Sequence, residues 1–441
     1  MAEETLTLLL DGQIIGAIRR RKGRLSLVYQ DAWRSRPDAY PLSLSMPLAS
    51  SEHPHGPVNA FLWGLLPDNE VVIDRWARHF QVSATNPFAL IGAVGEDCAG
   101  AVQFVRPERL DALLAGHEDQ IDWLEDHEVA ERLRALRADQ AAWRAARDTG
   151  QFSLAGAQPK TALMWGNGRW GVPSGRLPTT HIFKPPSVAF DGHAENEHLC
   201  LSLARSLGIP AATSRVERFE DEIAIVVERY DRERQGERIA RVHQEDFCQA
   251  LARLPSDKYQ NEGGPGVRDC VEVLSDQSSA PGEDIDTFLD AILFNWIVAG
   301  TDAHAKNYSL LLSGEGRVRL APLYDIASAL PYPDLDYQKL KLAMKLGGEY
   351  RLRDIGARHV ARMAAETRQS QKRRVERARA LNSEIPIAVM DVADRMRASG
   401  LEHEIVGRLA ETIADRAKTL EAMLAAWTPE ESPASLRPRA V

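Results

Sequence analysis

The sequence predicts an α+β protein with two lobes, the first rich in short strands and the second mainly helical. Three observations carry this. Short apolar or alternating runs separated by turn signals fill the first half. From Gln244 onward the apolar residues take helical spacing, apart from one hairpin near 308–322. The texture changes near Tyr230-Asp231, so a ligand cleft between two lobes is the natural consequence.

Leu6–Leu10, Gln13–Ile18 and Leu25–Tyr29 read as strands, with Asp11-Gly12 and Lys22-Gly23 as hairpin turns. Pro41–Leu48 alternates in the same way. Val58–Leu66 and Val71–Phe80 carry helical spacing, broken by Leu66-Pro67-Asp68, and Gly100–Val105 reads as a strand. Ile121–Arg147 is charged and Ala/Leu-rich, the pattern of one or two exposed helices. Strands follow at Ser153–Leu154, Thr161–Trp165, Thr180–Lys184, Ser214–Phe219 and Ile223–Tyr230. A helix over Ala194–Leu207 stops at Gly208-Ile209-Pro210. Ala357–Trp427 is a nearly continuous helical pattern with breaks expected at Ile385-Pro386 and Ser399-Gly400. The tail from Thr428 has the composition of disorder.

At 441 residues the chain is long enough for two or three domains, and its composition is that of a soluble globular protein. The net charge of −9 argues against a protein that grips nucleic acid over its whole surface. The apolar run near the start is too short for a signal peptide. Ala291–Gly300 is too short to cross a bilayer and reads as a buried helix. A cytoplasmic protein without membrane contact is expected. Cys98, Cys200, Cys248 and Cys270 form no CxxC pair, which points to reduced, mostly buried thiols and away from zinc.

Gly300–Asp325 carries the chemistry. Asp302, His304, Lys306 and Asn307 cluster directly after the apolar helix at 286–299, and a strand–turn–strand then leads to Asp325. Phosphoryl transfer asks a protein to place a hydroxyl in line with a phosphate and to hold Mg²⁺ across its oxygens. One Asp serves as base, while an Asn and a second Asp ligate the metal. Asp302 and Asn307 stand five residues apart, the D-x-x-x-x-N spacing of such sites. His304 could be a metal ligand or a base; a structural role shaping the loop is favoured. Lys306 could stabilise charge on the γ-phosphate or be solvated.

A phosphate cradle is offered by Ser153, Leu154, Ala155, Gly156 and Ala157, whose small side chains would let backbone N–H groups approach phosphate oxygens. Lys184 sits in an apolar strand, where pairing with phosphate or with Glu197 would satisfy its charge. Backbone at Glu228–Asp231, including Tyr230, could hydrogen-bond an adenine edge, or could simply link the lobes.

The strings SLAGAQPKTAL, HIFKPP, VERYDR, KYQNEGGPG, GTDAHAKNYS and LYDIASA, in this order, resemble the HipA family of bacterial toxin kinases. PLSLSMPL, Phe61–Asp68 and Gly95–Val102 resemble that family's N-terminal subdomain. The resemblance spans about residues 10–425. It implies a bilobal protein-kinase-like fold: an extra β-rich subdomain over 1–110, a nucleotide-binding lobe over 111–230, a helical catalytic lobe over 231–427 and a disordered tail over 428–441. It implies ATP and Mg²⁺ as cofactors, Asp302 as base, Asn307 and Asp325 as metal ligands, and Lys184 on the nucleotide phosphates. Ser153 would be the residue the enzyme phosphorylates on itself to shut the site. A HipB-like helix-turn-helix antitoxin, operator DNA reached through that complex, and an aminoacyl-tRNA synthetase substrate are implied partners. Two other readings compete: a pseudokinase scaffold that acts as co-repressor, and a metal-dependent hydrolase built on His304 with the two Asp residues.

Overall fold

The structure, a computed structural model, describes residues 3–139, 141–143, 152–186 and 190–427. The tail expected to be disordered and the far end of the helical stretch before Arg147 lie outside the described residues.

The first sheet is antiparallel, in the order β4-β3-β2-β1-β5. Its strands are β1 (Glu4–Leu10), β2 (Gln13–Arg21), β3 (Arg24–Tyr29), β4 (Glu52–His53) and β5 (Val102–Val105). The two predicted hairpins form, with Asp11, Gly12, Lys22 and Gly23 all at positive φ, as the tight turn requires. One face of the sheet buries Leu8, Ile15, Ile18 and Leu27 completely. The helices α1 (Asp31–Arg34), α2 (His55–Leu65), α3 (Glu70–Phe80) and α4 (Pro87–Val94) complete this body, with Phe61, Leu62 and Leu65 of α2 in its core.

Pro41–Leu48 is a turn and not the expected strand. Met46 N–H bonds to the Ser43 carbonyl at 2.9 Å, and Pro41 and Pro47 withhold ladder donors. Three other amides go to side chains: Leu42 to the Tyr29 hydroxyl at 2.8 Å, Leu44 to Glu245 Oε1 at 2.7 Å and Ser45 to Ser43 Oγ at 3.1 Å.

After α5 (Pro107–Ala115) comes a six-stranded antiparallel sheet, ordered β10-β11-β9-β7-β8-β6. It contains β6 (Ile121–Leu124), β7 (Thr161–Gly166), β8 (Arg169–Pro173), β9 (His181–Lys184), β10 (Ser214–Phe219) and β11 (Glu222–Glu228). Its helices are α6 (Asp126–Ala138) and α7 (His193–Ser206). Ile121–Leu124 corrects the exposed-helix expectation: it pairs with β8, a short Gly- and Pro-containing strand that gave no clear signal in sequence. Ser153-Leu154 is not a strand either. Ser153 N–H bonds to the Asp97 carbonyl at 2.9 Å and ties this stretch to the first body.

The remainder is mainly helical, with α8 (Phe247–Ala250), α9 (Val267–Gln277), α10 (Pro281–Val298), α11 (Ala357–Glu366), α12 (Gln371–Ala398) and α13 (Ile405–Ala425). A catalytic lobe that is helical apart from one hairpin needs correcting, because seven short strands are set among these helices. They are β12 (Arg232–Gln235), β13 (Arg238–Arg241), β14 (His243–Asp246), β15 (Ser309–Ser313), β16 (Arg317–Leu320), β17 (Lys341–Leu346) and β18 (Glu349–Arg351). The predicted hairpin is β15–β16, and β14 adds a third strand to it.

The central helix α10 is buried around its whole circumference from Ala291 to Val298. Its one side-chain amide, Asn295, donates through Nδ2 to the Ala291 carbonyl at 3.0 Å and to the Tyr308 hydroxyl at 3.1 Å. Helix α12 runs straight through Pro386, where a break was expected. A mid-helix proline costs about 3 kcal/mol. The buried stripe Leu381, Ile385 and Val389 offsets this, as does Asn382 Nδ2, which bonds the Ala417 carbonyl on α13 at 2.8 Å. The break expected at Ser399-Gly400 is present, over 399–404, and a further one falls at 367–370.

A buried ion cluster joins the bodies. Asp97 accepts from Thr179 Oγ1 at 2.7 Å and Arg232 at 2.8 Å, with Arg229 and Arg241 at 3.4 Å. Asp231 binds Arg229 at 2.9 Å and the Gly100 amide at 2.7 Å. Burial opposes both carboxylates, yet the surrounding guanidinium groups hold them below their usual range. Among the described residues no helix is long and apolar enough to cross a membrane.

Candidate active site

The buried helix α10 ends at Ala299 in the left-handed conformation and delivers the polar loop that follows to the surface of the core. Short-range bonds set the loop's shape. His304 N–H bonds the Asp302 carbonyl at 2.8 Å, Asn307 N–H bonds the His304 carbonyl at 2.9 Å, and Asn307 Nδ2 reaches the Asp302 carbonyl at 3.1 Å. The β15–β16 hairpin then returns the chain to Asp325, which holds a left-handed φ of 58°. A non-glycine residue there stores strain of a kind that gathers at functional sites.

Asp325 meets Lys184 from the other lobe. Lys184 Nζ lies 2.7 Å from Asp325 Oδ1 and 2.8 Å from Glu197 Oε1. Both Lys184 and Glu197 are buried, whereas the Asp325 side chain is 40% exposed. Burial works against the charges of Lys184 and Asp325. The Lys184 ammonium nevertheless holds Asp325 well below the usual carboxylate range, and Asp325 with Glu197 raises the lysine.

Asp302 behaves differently. Burial pushes its carboxyl up, a hydrogen bond from the Tyr259 hydroxyl at 2.7 Å opposes this, and the nearby Asp325 adds to the rise. A carboxylate with a raised pKa is better matched to accepting a hydroxyl proton. His304 is buried, its ring edge-on to Tyr259 at 5.0 Å, and burial lowers its pKa to about 4. It is therefore a neutral ring packed in the loop, which favours the structural role. Lys306 is neither solvated nor free: its ammonium sits 2.5 Å from Asp68 Oδ1, and Lys258 takes Asp68 Oδ2 at 2.8 Å.

Leu154, Ala155, Gly156 and Ala157 curve along the opposite wall. Lys160 Nζ bonds the Ala155 carbonyl at 2.7 Å, and burial beside Lys184 pushes its pKa down to about 8. Ser153 stands behind this wall, fully buried, with its hydroxyl donating to the Leu65 carbonyl at 2.8 Å. At the lobe junction the amides of Glu228 and Arg229 are committed to the carbonyls of Thr213 and Thr180. The Tyr230 hydroxyl bonds Gln244, and its ring tilts against Tyr324 at 5.9 Å.

Leu154, Ala155, Gly156, Ala157, Lys184, Glu228, Tyr230, Asp302, His304, Lys306, Asn307 and Asp325 all line one cleft of about 480 Å³, and Ser153 does not. Asp325 and Asn307 fit a hard divalent cation. With Asn307 Nδ2 committed to a carbonyl, its oxygen is the atom left for a metal. One carboxylate and one amide suit an ion that keeps water and phosphate as its other ligands. Asp68, Lys258, Tyr259 and Lys160 are site residues that motif reasoning missed. The strings Phe61–Asp68, KYQNEGGPG and SLAGAQPKTAL marked their neighbourhoods without assigning them a role.

The family model of the HipA N-terminal domain matches residues 6–105, and that of the HipA-like C-terminal domain matches residues 152–391. A putative kinase, Y4mE of Sinorhizobium fredii, is 37% identical over 361 residues, covering 81% of this chain and 84% of that one. The serine/threonine-protein kinase toxin HipA of Shewanella oneidensis is 33% identical over 347 residues, 76% of each chain. A chain of the solved Shewanella oneidensis complex of HipA, HipB and operator DNA superposes with a TM-score of 0.81 at 25% identity, covering 95% of this chain and 98% of that one. The two matched segments account for both the first sheet and the cleft, and the chain belongs to the HipA family as a bilobal serine/threonine protein kinase of that type.

Proposed function

We propose that this kinase transfers the γ-phosphate of Mg·ATP to a serine of a translation component, an aminoacyl-tRNA synthetase, and so arrests growth as the toxin of a toxin–antitoxin pair. The observation that carries the reading is the convergence of Lys184, Asp325, Asn307 and Asp302 on one cleft between lobes. Lys184, oriented by Glu197, binds the nucleotide phosphates. The phosphate loop at 154–157 closes over them with backbone N–H groups. Bound Mg²⁺, held by Asp325 and Asn307, would neutralise charge on the phosphate oxygens. Asp302 accepts the Tyr259 hydroxyl on Oδ1 and takes the proton of the attacking hydroxyl on its other oxygen.

Autophosphorylation on Ser153 belongs to the same reading. Its burial against the Leu65 carbonyl means that the loop must leave its seat before the hydroxyl can react. A phosphoserine of charge about −1.5 to −2 could not return to that seat. The partner is a HipB-like helix-turn-helix antitoxin, and the pair co-represses its operon on DNA in the cytoplasm. Support comes from the superposition on the HipA–HipB–DNA complex.

The test is phosphoproteomics of cells expressing wild type or Asp325→Ala. The reading requires phosphoserine on a synthetase and on Ser153, present only with the wild type. Identical phosphopeptide sets in the two strains would overturn it.

A further inference from the structure

Asp68 belongs to the first body of the fold, in the tight link between α2 and α3, far in sequence from every catalytic group. Its backbone N–H bonds the Gly156 carbonyl of the phosphate loop at 3.1 Å. Its carboxylate bonds Lys306 of the catalytic loop through one oxygen and Lys258 through the other. The acceptor-side loop that carries Lys258 also carries Tyr259, the residue bonded to Asp302. Three walls of the cleft therefore meet at one side chain. The carboxylate is 9% exposed and Lys306 is 4% exposed, so this is a built contact and not a surface ion pair.

The link that presents Asp68 is rigid. Asn69 caps α3 by accepting from Val71 N–H, and Leu66 N–H closes the end of α2 on the Trp63 carbonyl at 3.2 Å. Helix α2 is pressed against α8. Gln249 Nε2 bonds the Phe61 carbonyl at 3.1 Å, and a Cβ at Gly64 would lie 2.6 Å from Gln249 Cγ. The first body is thus fixed on the catalytic lobe and cannot present Asp68 loosely.

We propose that Asp68 is a positioning residue for phosphoryl transfer: by holding the ammonium groups of Lys306 and Lys258 at the acceptor end of the cleft, it makes the N-terminal body a working part of the kinase site. This rests on the phosphotransfer reading above. Two ammonium groups near one another, one buried and one half-buried, repel, and each is free to turn toward any carboxylate. A single carboxylate between them fixes both, and fixes Lys306 in the loop that carries the base Asp302 and the metal ligand Asn307. Asp68 touches no reacting atom and acts through the lysines.

The test is single-turnover phosphate transfer from Mg·ATP by the full chain, with nucleotide affinity measured alongside. Wild type, Asp68→Asn, Asp68→Glu, Lys258→Met/Lys306→Met and the triple variant Asp68→Asn/Lys258→Met/Lys306→Met are compared. Asp68→Asn is expected to slow transfer roughly 10–100-fold, with ATP affinity within about threefold of wild type, and Asp68→Glu to recover part of the rate. On the double-lysine background, Asp68→Asn should add nothing. If Asp68→Asn transfers at the wild-type rate, or slows the double-lysine variant by the same factor, the proposal is overturned. The triple variant removes the charges together, so it keeps the test open should Asp68→Asn alone fold poorly. A wild type that transfers no phosphate would instead defeat the phosphotransfer reading.

Discussion

The two ends of the cleft are held by different kinds of contact. At the nucleotide end, Lys184 pairs with Glu197, thirteen residues away, and with Asp325 just after the catalytic hairpin. At the acceptor end, Lys306 and Lys258 pair with Asp68, 238 and 190 residues away. The first arrangement is local to the two lobes that enclose the nucleotide. The second exists only because a separate N-terminal body is docked on the catalytic lobe. In the proposed mechanism, charge at the nucleotide end serves phosphate binding, whereas at the acceptor end it serves the movement of a proton.

Removing the cation at the nucleotide end gives the largest expected effect. Lys184→Met leaves Glu197 buried without its partner. Phosphate transfer should fall by roughly 10²–10³-fold, with a stability loss of roughly 1–3 kcal/mol. That stability figure is below the full cost of a broken buried pair because Asp325 keeps contact with water. Transfer assays and urea denaturation would read both. A Lys184→Met variant with near-normal turnover would erase the contrast between the two ends.

The acid limb of the pH–rate profile separates the ends more finely. Asp302 must be ionised to act, and its pKa is raised, so transfer should fall as pH drops through a value above the ordinary Asp range. Asp325 is held low and stays ionised across the same range, so ATP affinity should not follow that limb. On the alkaline side, Lys160 loses its proton near pH about 8. ATP affinity should weaken a few-fold above that pH, and Lys160→Met should bind ATP more weakly but without this pH dependence.

The smallest expected effect concerns the docking of the N-terminal body. Glu245 accepts the Leu44 amide across that junction, and burial pushes its pKa up to about 8. The fold accommodates its acid form. The contribution is intact below about pH 4.5 and is lost as pH rises toward about 8. Glu245→Gln keeps the acceptor oxygen and never ionises. It should flatten the pH dependence of stability and raise stability near pH 8 by a few kcal/mol at most, at about 1.4 kcal/mol per pKa unit. Denaturation at two pH values checks this.

How much of the site was legible follows from the same contrast. Asp302, Asn307 and Asp325 could be read because their spacing and the hairpin between them are local, and Lys184 because a cation in an apolar strand demands a partner. The hairpin turns of the first sheet were legible from Asp-Gly and Lys-Gly pairs. Asp68 was not, since its role arises from docking and leaves only an unremarkable LPD at a helix break. Strands β6, β8, β12 and β13 were missed for a related reason. They are short, charged or interrupted by Gly and Pro, and only their neighbours make them strands. Pro386 misled in the opposite direction, because packing of α12 on α13 overrides a strong local breaker.

The central claim is that Asp302 accepts the proton of the attacking hydroxyl in a cleft where Asp325 and Asn307 serve the nucleotide's metal. Rapid-quench measurement of phosphate transfer by Asp302→Asn, with Mg·ATP affinity determined on the same sample, tests it most directly. The predicted result is a rate lower by roughly 10²–10⁴-fold with ATP still bound. Transfer at the wild-type rate would contradict it.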